Sequence, residues 1–284
     1  MTTIKQVALV AAGILCSSLA PTGVLSAGAE NVSNEAAYKA ATDTDPHLPL
    51  TTFQEKMRAQ KIQAATSGAA SPIAKGGSAS RVISGAAIAT TSTPTSASLA
   101  QDQNPQKTSY WCGPASVNEA LGQTGNWYTQ EQLASELKTT TAGTAWSGGG
   151  TSPTGFPVPD VMNRHQSRNY YVPNVVSSTP SDSDVNYYKS ALTYNIATVR
   201  APIIGNAWTT KYSEFWLVGH PHNATIQHWF DIYGYQISSG TTYTKYEDSV
   251  HGASSIDWHD SVPAYSELPS HQIAHIVGGR GYVW

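Results

Sequence analysis

The alternation of apolar and polar positions divides the chain into three stretches. The first opens with Lys5, runs through the uncharged apolar segment Val7–Ala20, and ends in the small residues Ala27-Gly28-Ala29. Positive, then apolar, then small at the cleavage positions is the order of a secretory signal. The apolar run is shorter than the roughly 20 residues that a membrane span needs. Residues 1–29 are therefore expected to be a removable signal peptide. Cys16 does not suit lipid attachment, because bulky Leu15 precedes it.

The second stretch covers 30–100. Glu30–Thr44 is polar and Ala-rich without a clear period. Leu50–Ala65 is a helical candidate with a thin apolar stripe of Phe53, Met57 and Ile62. Ser67–Ala100 is almost entirely Ser, Thr, Ala, Gly and Pro, with too little apolar area to offset ordering entropy. Residues 30–100 are expected to be a low-complexity linker or a pro-segment.

The third stretch, 101–284, has the pattern of a packed domain. Val117, Ala120 and Leu121 repeat at helical spacing, and Pro114 suits a first turn, so a helix starts at Cys112. Thr129 and Gln132 have capping-box spacing for a second helix to about Lys138. Gly143–Pro159 reads as a loop, 160–165 as a short helix, 169–172 as a strand and 181–194 as a helix. Strands are expected at 202–205, 228–235 and 241–247, then a short helix near 273–277. Helices first and antiparallel-looking strands after is an α+β order.

Charge and cysteine usage narrow the function. Net charge is −3 and 12% of residues are charged, which gives no footprint for nucleic acid or anionic membrane. With the signal removed and no later segment apolar enough to span a bilayer, the chain is expected to be secreted and free of the membrane. The oligomeric state is left open. Of the two cysteines, Cys16 leaves with the signal, so Cys112 has no partner within the mature chain. Such a thiol is either an inert buried group or a reactive one.

A reactive thiol must ionise. A helix N-terminus and a nearby imidazolium both favour the thiolate. Of nine histidines, His228 has the best context, since it opens the strand-like His228–Tyr235, and a strand holds a general base more firmly than a loop. His220 and His222 flank Pro221 and read as loop residues. Together with His228 they invite a zinc reading, but Pro221 breaks regular structure and no carboxylate follows at ligand spacing. Gly148–Gly150 lacks the Gly-Lys-Ser/Thr ending of a phosphate loop. No metal and no cofactor is expected.

Gln106, the motif Tyr110-Trp-Cys-Gly-Pro-Ala-Ser116, and His228 with Gly234-Tyr235 downstream resemble papain-like cysteine peptidases, and most nearly the C39-like peptidase family. The resemblance covers about 101–284. It implies a papain-like α+β fold in which the helix bearing the nucleophile packs on an antiparallel sheet. It also implies a Cys-His-Asp triad: Cys112 attacking a carbonyl, His228 shuttling the proton, Asp248 holding the His. Gln106 and the Cys112 backbone N–H would form the oxyanion hole. Asp231 and Glu247 compete for the place of Asp248, Asp231 less well because alternation puts it on the face opposite His228.

The separation of Cys112 and His228 is shorter than the roughly 130–150 residues of papain. The transporter-borne branch of the family cleaves leader peptides, and that substrate is not carried over. The function implied is a secreted cysteine peptidase acting on a peptide or protein substrate through an acyl-enzyme. The alternatives are transglutaminase- or amidase-type acyl transfer, and a non-catalytic secreted binding module on a peptidase fold.

Overall fold

The computed structural model describes residues 27–67, 93–149 and 152–284. The signal-peptide reading lies outside the described residues up to position 26, and most of the Ser67–Ala100 linker reading lies outside them at 68–92. The fold is mixed α+β: helices pack against an open antiparallel sheet.

Two helices, α1 (Ala27–Thr42) and α2 (Thr52–Ser67), precede the sheet, and a short strand, β1 (Ser96–Ser98), leads into it. Then come α3 (Cys112–Gln123), α4 (Gln130–Leu137) and α5 (Pro157–His165). Strand β2 (Pro173–Val175) and α6 (Asp182–Thr193) follow, the latter running into a π-helical turn, Tyr194–Val199. The C-terminal part holds β3 (Ile203–Thr209), β4 (Ile226–Ser238), β5 (Thr241–Glu247), β6 (Tyr265–Pro269), α7 (Ser270–Ile276) and β7 (Gly281–Val283). The sheet order is β2-β7-β3-β4-β5-β6, with β1 also on β4, and every pairing is antiparallel.

Helix α3 is the middle of the molecule. Its pattern suggested one apolar stripe, yet nearly every residue is buried, Glu119 and Gln123 included. It lies between α4 and α5 on one side and β4 on the other, and Ser116 Oγ donates to the Trp229 carbonyl across the β4 contact at 2.9 Å. Helix α4 has its capping box between Thr129 and Gln132. The strand expected at 169–172 falls later, at Pro173–Val175. Val172 nonetheless exchanges both backbone hydrogen bonds with Trp284, which extends the ladder to the chain end.

The largest departure from the sequence reading is at 30–67. Glu30–Thr44 forms most of α1, because its contacts with the domain are polar and leave no apolar period. Lys39 is buried, with Nζ donating to the Gly278 carbonyl and paired with Glu35. Asp43 takes a bidentate pair of 2.7 Å hydrogen bonds from Arg280, whose guanidinium lies over the Trp208 ring.

The stripe expected to dock α2 does not lead its contact. Phe53 is 55% exposed, while Gln54, Lys61 and Ala64 are buried. Lys61 Nζ donates to Asn169 Oδ1 at 2.8 Å and sits 4.7 Å from the Trp284 ring centre. Met57 and Ile62 of the stripe do pack, partly buried, against the core, and the buried cation with its oxygen and aromatic partners adds to that contact. Strand β1 also falls within 30–100, so the packed body includes residues before 101.

Candidate active site

Cys112 is the first residue of α3, and no side chain caps that helix end. Its first N–H groups therefore keep their partial positive charge for whatever stands there. Gly113 is needed beside it: a Cβ at this position would lie 2.2 Å from Thr144 Oγ1. That close approach sets Thr144 against the first turn of α3. Trp229 Nε1 ties this segment to β4 by donating to the Thr144 carbonyl at 2.9 Å, and its ring stacks on Trp146.

His228 enters from β4 and is 4% exposed. Its Nε2 is hydrogen-bonded to Asp248 Oδ1 at 3.0 Å, and the residue lines the same cleft as Cys112. Burial pushes the thiol up, but the hydrogen bond and charge of His228, aided by backbone groups at Trp229 and Gly113, hold it below its ordinary value. Burial likewise works against a charged His228, and the charge and hydrogen bond of Asp248, then those of Cys112, raise it to about 10. Asp248 is held well below the usual carboxylate range: its burial is outweighed by the two imidazoles beside it, His228 and His220. The shifts of Cys112 and His228 run in the directions of a thiolate–imidazolium pair.

Asp248 directly follows β5, where its neighbour Glu247 still pairs with Asp231 of β4. Of the three acids considered for His228, Asp248 makes the hydrogen bond. Asp231 Oδ2 accepts from Gln123 Nε2 at 2.5 Å, and Glu247 accepts from Gln123 and from the Asp102 backbone N–H. These two belong, with Glu119, to a buried group of carboxyls at the far end of α3, where burial and mutual repulsion raise them; Glu247 is at about 7.

Gln106 is buried and lines the same cleft as Cys112, His228, Gln227, Val250 and Trp258. Its amide orientation is set from both ends. Nε2 donates to the Thr108 carbonyl at 2.7 Å, and Oε1 accepts from Ser249 Oγ at 3.2 Å. Of the four residues singled out from the sequence, Gln106, Cys112 and His228 line one cleft, and Asp248 is buried against His228.

No family model and no curated protein matches this chain. Solved structures do match. The chain is similar to the peptidase domain of Streptococcus ComA, a bi-functional ABC transporter involved in a quorum-sensing pathway, at 13% identity and a TM-score of 0.37, over 65% of this chain and 97% of that one. It is similar to digestive procathepsin L 3 of Tenebrio molitor larval midgut at 13% identity and a TM-score of 0.39, over 90% and 89%. A structure from the mite allergens Blo t 1 and Der p 1 matches at 10% identity and a TM-score of 0.37, over 90% and 89%. All three likenesses are distant.

Two residues of the site were missed in the sequence. Ser249, which orients Gln106, had no signal beyond its place after Asp248. His220 was set aside because it precedes Pro221 in a loop, yet its Nε2 lies 2.9 Å from Asp248 Oδ2 and the residue is 4% exposed. The carboxylate absent from local ligand spacing arrives from the end of β5. Donor atoms of His220, His228 and Asp248 come within 4.8 Å of one another, a spacing that could hold a metal ion. Here they are hydrogen-bonded among themselves, each ring nitrogen to its own carboxylate oxygen.

Among the described residues no helix is long and apolar enough to cross a membrane.

Proposed function

We propose that the chain is a secreted cysteine peptidase that hydrolyses peptide or amide bonds through Cys112, and that it is a C39-like member of the papain-like group. The observation that carries the reading is the grouping of Cys112, His228 and Asp248: a thiol at an uncapped helix N-terminus shares a cleft with a buried imidazole whose Nε2 is held by a carboxylate. In this reading the Cys112 thiolate attacks the substrate carbonyl and the His228 imidazolium protonates the leaving amine. Water then attacks the thioester, with His228 taking its proton. The Cys112 backbone N–H and the second N–H of the Gln106 amide stabilise the oxyanion, a donor of this kind being worth about 3 kcal/mol.

Residues 30–67 act as a pro-segment in the same reading. Buried ion pairs hold the segment on the domain, and the Tyr38 hydroxyl reaches Thr225 on the rim of the cleft at 3.1 Å.

The test is incubation of the wild type and Cys112→Ala with a diverse peptide library, with products read by mass spectrometry. Cleavage by the wild type alone supports peptidase action. Adducts with an added amine in place of hydrolysis would move the reading to acyl transfer. No turnover by either protein, together with an ordinary thiol at pH 6, would refute it.

A further inference from the structure

The triad reading uses one oxygen of Asp248, and the other is occupied too. We infer that His220 is a positioning residue of this site: its Nε2–H holds the Asp248 carboxylate in the orientation that keeps His228 against Cys112. The inference rests on the thiol-hydrolase reading above and adds a fourth member to the array.

The geometry is specific. Asp248 Oδ1 accepts from His228 Nε2 at 3.0 Å and from the Val250 backbone N–H at 3.0 Å, while Oδ2 accepts from His220 Nε2 at 2.9 Å. Asp248 is 1% exposed, so an oxygen left bare there would be costly. The fold builds the position of His220 deliberately. Gly219 has φ of 81°, in the left-handed region, and a Cβ on it would lie 2.0 Å from the Ser261 carbonyl oxygen. The turn that delivers His220 therefore requires glycine. Trp258, a lining residue of the cleft, closes on the ring edge-to-face at a centroid distance of 4.8 Å, with the His228 ring 5.2 Å away on another side.

The titratable groups that act on His220 are Asp248 and His228. Cys112 lies beyond His228, and Glu119 bears on the array from α3. Burial, opposed by Asp248 and reinforced by His228, lowers His220 while His228 is raised, so the two shifts favour a neutral His220 beside a charged His228. A neutral imidazole bonding a carboxylate through Nε2 must carry its proton there. His220 thus donates without competing for the charge of Asp248. Without it, Oδ2 must turn toward another donor or take a proton, and either movement takes the carboxylate from His228 and the counter-ion from the thiolate.

The experiment follows the alkylation rate of Cys112 by iodoacetamide against pH in the full chain carrying Cys16→Ser. Wild type, His220→Ala and His220→Gln are compared, since a Gln amide can place an N–H where Nε2 stood. The acid limb should move up by about one pH unit in His220→Ala, making alkylation about tenfold slower at pH 6. The Gln variant should restore most of it. A packing role would lower the rate at every pH and leave the limb in place, and that result overturns the inference, as does an equal shift in both variants.

If His220→Ala does not fold, 15N-histidine NMR of the wild type decides. His220 must be neutral with its proton on Nε2 at pH 6, and a charged ring or an Nδ1–H tautomer overturns the inference. A wild-type thiol with no enhanced reactivity at pH 6 would instead sink the thiol-hydrolase reading beneath it.

Discussion

Asp248→Asn is the sharpest perturbation of the array, because it removes a charge while keeping volume and an acceptor oxygen. His228 rises from its ordinary 6.5 to about 10 against the effect of burial, through Asp248 first and Cys112 second. That distance corresponds to about 5 kcal/mol in favour of the charged ring. Asp248 supplies half or more of it, so neutralising the carboxylate should remove about 2–3 kcal/mol, or roughly 30- to 150-fold in the population of the thiolate–imidazolium pair.

The sign follows from the direction of each shift. A less stable imidazolium leaves the thiolate without its counter-ion, so the thiol ionises at higher pH and less of it is reactive at pH 6. Iodoacetamide alkylation of Cys112 in a Cys16→Ser background should therefore slow by that factor at pH 6. It should converge on the wild-type rate above about pH 9, where an ordinary thiol is itself ionised. Near-ultraviolet circular dichroism of the buried tryptophans checks that the variant is folded. If the variant alkylates as fast as wild type at pH 6, Asp248 does not sustain the pair and the chemistry assigned to Cys112 loses its basis.

Three further outcomes follow from groups around the site. Glu247 has a folded value of about 7 against 4.5 unfolded, so the native state binds the extra proton between those values and stability falls as pH rises from about 4.5 to 7. The loss amounts to about 3 kcal/mol, and Glu247→Gln should shrink the difference between urea midpoints at pH 5 and pH 8; an unchanged difference would refute the assignment. Replacing Asp43 and Asp45 by Asn leaves Arg280, 1% exposed, without its carboxylates, which should cost about 3–5 kcal/mol and expose 43–50 to limited proteolysis. Unchanged resistance would mean that Arg280 does not anchor the segment. A chelator should leave the alkylation rate of Cys112 unchanged, since His220, His228 and Asp248 are satisfied by one another. A faster rate after chelation would show that they had held an ion.

What could be read in the sequence divides along physical lines. Cys112 at a helix start and His228 on a strand were legible because each rests on local chemistry: a first-turn proline, an apolar period, an alternating run. Helix α1 was not legible, because Lys39 and Asp43 dock it through buried charge, and such contacts leave no periodic mark along the chain. The choice among Asp231, Glu247 and Asp248 could not be made from alternation alone. It depends on where β5 ends relative to β4 and on Gln123, one helix away, which takes the other two acids. His220 is the extreme case. Proline beside it argued for a loop, which is correct, and so against a role, which does not follow. A loop residue is held as firmly as a strand residue when a required glycine, a covering tryptophan and a buried carboxylate converge on it. The strength of a positioning group is set by what surrounds it in space, so the fourth member of this array becomes visible only once β5 has delivered Asp248.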